Sequence, residues 1–348
     1  IASCLVGSEM CIRDRYIALA YAAKIKLYQA YQQDETTHAV TSINKELLRE
    51  VVSLCDQVTA SNRYGLLDDF QGLDLVANEN GKESVFAIQY SMNDGTESAG
   101  RINWSNLLNS PGGGSPYGGD GFFLPSQDLI NAYQTDANGL PDFNYQSKSD
   151  YSWAVLNNGV YTLQNTTPNV DPRLDFVVGR PTITWKTYPD KPCEGWVRDK
   201  ETYGYNCAKR FWVSPESSDM FNGWPWGASQ LNWQIIRYAD ILLWKAEALI
   251  ELNEGDGLET ARDLINQIRN RARNSAYVKD FNDHSKYAAN YLVNPYPADV
   301  WNQDYARQAL RWETRLEKAL EGERFFDLVR WGIVETTMNK YITADAIV

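Results

Sequence analysis

The sequence predicts a mainly α protein, in which tetratricopeptide-like helix pairs are interrupted by one long, loop-rich insertion. Three observations carry that expectation. Apolar residues recur at helical spacing in three separate blocks, 16–60, 231–274 and 305–336. A polar or glycine break divides each block, so each reads as a helical hairpin. Residues 61–230 instead read as turns and short extended runs.

The leader IASCLVGSEMCIRDR (1–15) comes first. Its first four residues fit the small-residue pattern that precedes a lipid-anchored Cys4. It lacks a basic and an apolar region upstream, resembles the spurious ends of assembled environmental sequences, and receives no functional weight. In the first hairpin Ile17, Tyr21, Ile25 and Tyr28 form one stripe, and Ile43, Leu47, Val51, Leu54 and Val58 the next. QQDETTH supplies the turn between them. The second hairpin carries Ile235, Tyr238, Leu242 and Leu249, breaks at NEGDG, and resumes with Leu258, Ala261, Ile265, Ile268 and Ala272. The third runs from Tyr305 through Leu320, breaks at Gly322 and restarts through Arg330. Such pairs leave apolar faces bare unless they stack on one another.

Within the insertion, SVFAIQYS (84–91) is the one clear strand, and short helices are expected at Ser126–Gln134 and around Asn103–Leu108. SPGGGSPYGGDG, TDANGLPD, NTTPNVDPR and NGWPWGAS are turn signals. A loop region of this length is usually functional or ordered by its surroundings.

Composition narrows the function. A net charge of −12 over 348 residues repels nucleic acid and anionic lipid. No stretch approaches the roughly 18 apolar residues of a membrane span. The two histidines, His38 and His284, leave little for a His-based metal site or triad. Tyr117 sits where a nucleophile elbow requires Gly, and DANGLPD (136–142) lacks calcium-loop spacing. Carboxylates are plentiful, so an Asp/Glu pair for glycoside hydrolysis stays open. Cys55 reads as a core thiol, while Cys193 and Cys207 are either bridged or free.

The positive signal is aromatic. Six of the 12 Trp fall between 185 and 233. A flat indole covers the apolar face of a sugar ring while neighbouring polar groups bond its hydroxyls. Candidate ligand contacts are Trp104 with Arg101, Asn103 and Asn106, then Tyr117, and the Trp224–Trp226 platform held by Pro225. Each competes with plain core packing.

NWQIIRYADILLWKAEAL, ARDLINQIRNRAR and RWETRLEKALEGERFFDLVRWG, in that order, closely resemble the SusD/RagB family. SVFAIQYS, FFLPSQDLINAYQTDANGLPD and DPRLDF match its order too, so the likeness covers about 16–340. The resemblance implies a SusD-like α/α superhelix forming one domain over 16–348, with the insertion 61–230 carrying the ligand contacts. It implies a surface-exposed, lipid-anchored outer-membrane protein of Bacteroidetes that binds oligosaccharide or polysaccharide and passes it to a TonB-dependent SusC-like transporter. Neither catalysis nor a cofactor is implied. Family members are longer at both ends, so the chain reads as a fragment. A glycoside hydrolase and a helical-repeat adaptor for proteins are the alternatives.

Within EGERFFDLVRWG (321–332), Phe325, Phe326, Leu328 and Val329 are expected to fill a groove between helices. Glu317, Glu321, Arg324 and Arg330 are spaced to form ion pairs across the Gly322 turn.

Overall fold

A computed structural model describes residues 8–95, 100–104, 111, 112, 114–119, 121–188, 193–223 and 227–345, with the backbone alone for 8–14 and 345. Helix α1 (Ser8–Ala30) and helix α2 (Lys45–Thr59) form the first pair. Asn44 caps α2, its side-chain oxygen accepting from the N–H groups of Glu46 at 3.0 Å and Leu47 at 3.2 Å. Leu48, Val51, Cys55 and Val58 bury the inner stripe of α2. The linker is more than a turn: strands β1 (Tyr31–Gln33) and β2 (Val40–Ile43) pair antiparallel and flank it.

The insertion continues with strand β3 (Ser84–Ile88), helix α3 (Gln127–Ala132), strand β4 (Gln134–Thr135), strands β5 (Trp153–Asn157) and β6 (Val160–Gln164), and strand β7 (Asn169–Val170). Helix α4 (Arg173–Val177), strand β8 (Val178–Gly179), helix α5 (Lys200–Tyr203) and strand β9 (Cys207–Ala208) follow. The expected helix at 126–134 is present as α3; most of the one near 103–108 lies outside the described residues. The sequence reading missed the β5–β6 hairpin, whose full ladder runs from Trp153↔Gln164 to Asn157↔Val160. DANGLPD forms a tight turn, in which the Asp136 carboxylate accepts from the N–H groups of Asn138 and Leu140. Gly139, at φ +72°, completes that turn where a side chain would press on Asn294.

Strand β10 (Trp233–Arg237) then leads into helices α6 (Tyr238–Leu252) and α7 (Gly257–Asn274). Here the structure corrects the sequence reading. Ile235 belongs to β10, which pairs antiparallel with β3 through Trp233↔Ile88 and Gln234↔Ala87, so the helix starts three residues later. An apolar run this short satisfies either period, and the available partner strand decides. Almost every residue of α6 is buried, because α2, α7 and later α8 all pack on it.

After strand β11 (Asn290–Tyr291), which lies parallel to β7, come helices α8 (Gln303–Glu317), α9 (Arg324–Arg330) and α10 (Val334–Asp345). Gly322 makes the expected turn at φ +83°. Two further expectations fail. Phe325 and Phe326 are 58% and 56% exposed and contact each other edge to face, while Leu328 is buried and Val329 half-buried. Helix α9 is only two turns long, and its inner stripe runs through Asp327, Leu328 and Arg330, which turns the two rings outward. The charged residues also do not pair across the Gly322 turn. Glu317 and Glu321 reach Arg237, and Arg330 reaches Glu247 on α6.

Two cores hold the molecule beyond the helical one. Phe70, Ile130, Tyr133, Tyr151, Val170, Leu174 and Phe176 pack against Leu316 and Ala319 at the end of α8. A second cluster gathers Tyr117, Trp185, Trp196 and Trp212 with Cys193 and Cys207. Both cysteines are free thiols here. A buried ionic network links the insertion to the helices. Arg173 on α4 reaches Glu313 on α8 at 2.9 Å, and Arg271 on α7 reaches Glu83 beside β3 at 3.1 Å. Each charge is paired, which offsets the desolvation of taking it out of water.

Candidate functional site

The expected ligand contacts separate into three groups. Trp104 stands 42% exposed at the end of the segment that follows β3. Arg101 lies nearby with its side chain 63% exposed, its Nη1 donating to Asp94 at 3.2 Å. Both side chains are open to solvent over much of their surface. Asn103 departs from expectation: it is buried, its backbone N–H donating to Ser229 O at 2.8 Å and its amide to Leu231 O at 3.2 Å. It anchors the segment that presents Trp104 and offers nothing to solvent.

Tyr117 also departs, and more completely. Its ring is fully buried, with centroid 4.8 Å from Trp212 and a T-shaped contact to Trp196. Its hydroxyl donates to Val213 O at 2.6 Å and accepts from the Trp185 indole at 2.8 Å. Burial pushes that hydroxyl well above its ordinary pKa. Three of the six tryptophans between 185 and 233, namely Trp185, Trp196 and Trp212, therefore belong to the insertion's own core, where rings interlock in tilted and edge-to-face pairs. Asn106, Trp224, Pro225 and Trp226 lie outside the described residues.

The structure adds a cleft that no sequence motif announces. It encloses about 450 Å³ between the short helical turn at Phe70–Asp74 and the loops at 186–219. Phe70, Phe176 and Val213 give it apolar walls, and Thr187, Ser214 and Ser217 bring hydroxyls to it. Asp74 is clamped by Lys186 at 3.0 Å and by Arg210 Nε at 3.1 Å. Burial alone would raise the Asp74 pKa, but Lys186 and then Arg210 outweigh it and hold the carboxyl below its usual range. Arg210 lies over the rings of Phe70 and Phe211 at 5.0 and 4.7 Å, and its buried Nη1 has no hydrogen-bond partner among the described residues. Glu216 accepts from Thr187 at 2.9 Å. Lys209 is held between the carbonyls of Asp175 and Thr184 and is pushed down to about 8 by burial.

The cleft and the Trp104 segment share one frame. Asp219 on the cleft's rim accepts from Gln230 at 2.7 Å, and the Gln230 amide oxygen accepts from the Met92 N–H at 3.2 Å. Apolar walls beside hydroxyls, a carboxylate and a spare guanidinium N–H suit a polyhydroxylated ligand with alternating apolar and polar faces. Among the described residues, no three His, Cys, Asp or Glu side chains gather as a metal site would require. No described helix is long and apolar enough to cross a membrane.

The chain is a mainly α, tetratricopeptide-like fold with an ordered insertion, and the comparisons agree. The SusD family model matches residues 82–347, and the chain belongs to that family. No curated protein matches the sequence. Among solved structures, a SusD superfamily protein from Bacteroides vulgatus superposes over 93% of this chain and 53% of its own, with a TM-score of 0.60 at 21% identity. A SusD-like carbohydrate-binding protein from Bacteroides fragilis superposes over 92% of this chain and 52% of its own, with a TM-score of 0.60 at 20% identity. A third, solved with xylogluco-oligosaccharide, superposes over 94% of this chain and 53% of its own, with a TM-score of 0.52 at 16% identity. At these identities the likeness is one of fold, and the chain spans about half the length of each structure.

Proposed function

We propose that this chain is the glycan-binding portion of a surface nutrient-binding protein that captures oligosaccharide and delivers it to a TonB-dependent SusC-like transporter. The observation that carries the reading is Trp104, an exposed indole beside a largely exposed Arg101 on a segment fixed by the Asn103 bonds. The neighbouring cleft, with its apolar walls and hydroxyls, supports the same ligand class. Family membership supports it too, as does the family-fold structure solved with xylogluco-oligosaccharide. The protein acts by binding alone, and its place is the outer membrane, lipid-anchored in the full-length form. Asp74 lies against Lys186 and Arg210, a setting that keeps it ionised and unsuited to donate a proton as a glycosidase acid must.

The test is a glycan array followed by titration calorimetry on the best ligand, with Trp104→Ala beside the parent. An aromatic stack contributes about 0.5–1.5 kcal/mol beyond area burial, so affinity should fall several-fold while the melting temperature holds. Equal affinity in the variant removes Trp104 from the site. Release of reducing ends that one Asp or Glu substitution abolishes replaces the reading with a hydrolase.

A further inference from the structure

A second groove lies mainly on the helical side. Helices α8, α9 and α10 form it together with the segment around Asp128 and Tyr145, and it encloses about 600 Å³. Its charge runs against that of the whole chain. Arg307, Arg311, Arg315, Arg324 and Lys340 line it, opposed only by Asp128 and Asp304, in a protein of net charge −12. Arg307, Arg311 and Arg315 follow one another at intervals of four along α8, which places their side chains on one face of that helix.

Two of these arginines are satisfied and two are not. Arg307 is forked onto Glu251 at 2.7 and 2.8 Å, and Arg315 reaches Asp128 at 2.6 Å. Arg311 and Arg324 have no carboxylate within ion-pair distance among the described residues. Both are half-buried. Their guanidiniums lie over the Trp331 ring, 5.2 and 5.7 Å from its centroid. A cation–π contact with a ring does not consume the N–H donors of a guanidinium, which stay available to an oxyanion. Arg324 spends one donor on a long bond of 3.4 Å to the Arg311 carbonyl, while the Arg311 side chain has no acceptor among the described residues.

The nearby acids do not answer this charge, since each is already engaged. Glu247 and Asp327 hold Arg330, Glu251 holds Arg307, and Asp128 holds Arg315. Burial, the largest influence, pushes Arg311 below the ordinary guanidinium range and Arg324 down to about 10, and the Arg315 charge adds to the latter. Two cations drawn partly out of water, each with carboxylates nearby but none in ion-pair contact among the described residues, carry a standing cost that an anion relieves.

We propose that this groove is an oxyanion site, which takes the carboxylate or phosphate group of a small ligand between the guanidiniums of Arg311 and Arg324. A planar carboxylate and a tetrahedral phosphate each present a pair of anionic oxygens that a guanidinium fork recognises. The site does not depend on the glycan reading, because it lies on the helical face and is built for charge where the cleft is built for hydroxyls.

Calorimetric titration with inorganic phosphate, and separately with citrate, tests it on the intact chain at constant ionic strength. Saturable binding is expected for at least one anion, and the anion that binds identifies the group recognised. Arg311→Gln should weaken it at least about tenfold, as loss of a charge-assisted bond predicts. Arg324→Gln should do the same, with circular dichroism confirming its fold; Arg311 is not part of a paired network, so its variant stands alone if Arg324→Gln fails to fold. Arg273→Gln removes an equal charge from the exposed end of α7 and should bind like the parent. Absence of saturable binding by both anions overturns the proposal. Equal weakening in all three variants overturns it too, since that marks only a net-charge effect.

Discussion

Arg237 Nη1 donates to Glu317 Oε1 at 3.0 Å, with both side chains buried. The bond ties the end of β10, and through it the insertion's strand β3, to the last turn of α8. The same guanidinium reaches Glu83 at 2.8 Å and Glu321 at 2.7 Å, so three carboxylates from two distant parts of the chain converge on one cation. Glu317 in turn is shared with Arg271 and Arg173.

Removal of that cation leaves buried carboxylates short of a counter-charge. Arg237→Met should therefore destabilise the fold by about 3–5 kcal/mol, the range for breaking a buried ion pair on one side. Urea unfolding followed by circular dichroism measures it. A loss below about 1 kcal/mol would show that Arg271 and Lys318 compensate and that the network is redundant.

The network also sets the response to acid. Burial raises the Glu317 pKa, but Arg271, Arg237 and Arg173 together outweigh it and hold the group at about 2, against an ordinary 4.5. Asp171 and Asp74 are held low in the same manner. A carboxylate whose folded pKa is depressed contributes stability that is fully present above its unfolded pKa and lost as pH falls through the folded one. Melting temperature should thus hold above about pH 5 and fall steadily towards pH 2. A flat profile across that window would contradict the ionised network.

The two phenylalanines of EGERFFDLVRWG give a sharp contrast with their neighbour. Phe326→Ala should change stability by no more than about 0.5 kcal/mol, since the ring is 56% exposed. Leu328→Ala should cost about 2–5 kcal/mol, because that side chain is buried against the helical core. Thermal or urea denaturation of the pair decides it, and a large loss for Phe326→Ala would place the ring inside.

The three buried thiols, Cys55 of α2 and Cys193 and Cys207 of the insertion, should be silent while the protein is folded. Burial pushes Cys55 up to about 12; burial and then the hydrogen bond with Cys207 push Cys193 well above its ordinary value. Peptide mass spectrometry after iodoacetamide at pH 8 should find Cys55, Cys193 and Cys207 unlabelled in the native protein and labelled in denaturant. If Cys193 and Cys207 stay unlabelled in denaturant until a reductant is added, they are bridged.

Much of the fold was legible in the sequence for a local reason. The stripes of α2, α7 and α8 obey the helical period over 15 residues or more, long enough to exceed any competing pattern. Strand 84–88 and the Gly322 turn were equally local. Trp104 was legible as an exposed candidate because its neighbours are polar.

What the tertiary structure alone decided is partnership. Ile235 became strand because β3 lies alongside it, and Phe326 turned outward because the short α9 gives its inner face to Leu328 and to an Arg330 bound for Glu247. Tyr117 and the tryptophans at 185, 196 and 212 look like a binding surface in sequence and form a core in space. Composition and spacing show which side chains a segment carries, whereas burial depends on which distant segment arrives to cover them. The cleft between Phe70 and Ser217 and the arginines at 311 and 324, without an ion-pair partner among the described residues, belong to the same class. Both are assembled from residues far apart in the chain, and a charge is left without a partner only once the fold has assigned every nearby carboxylate to another cation.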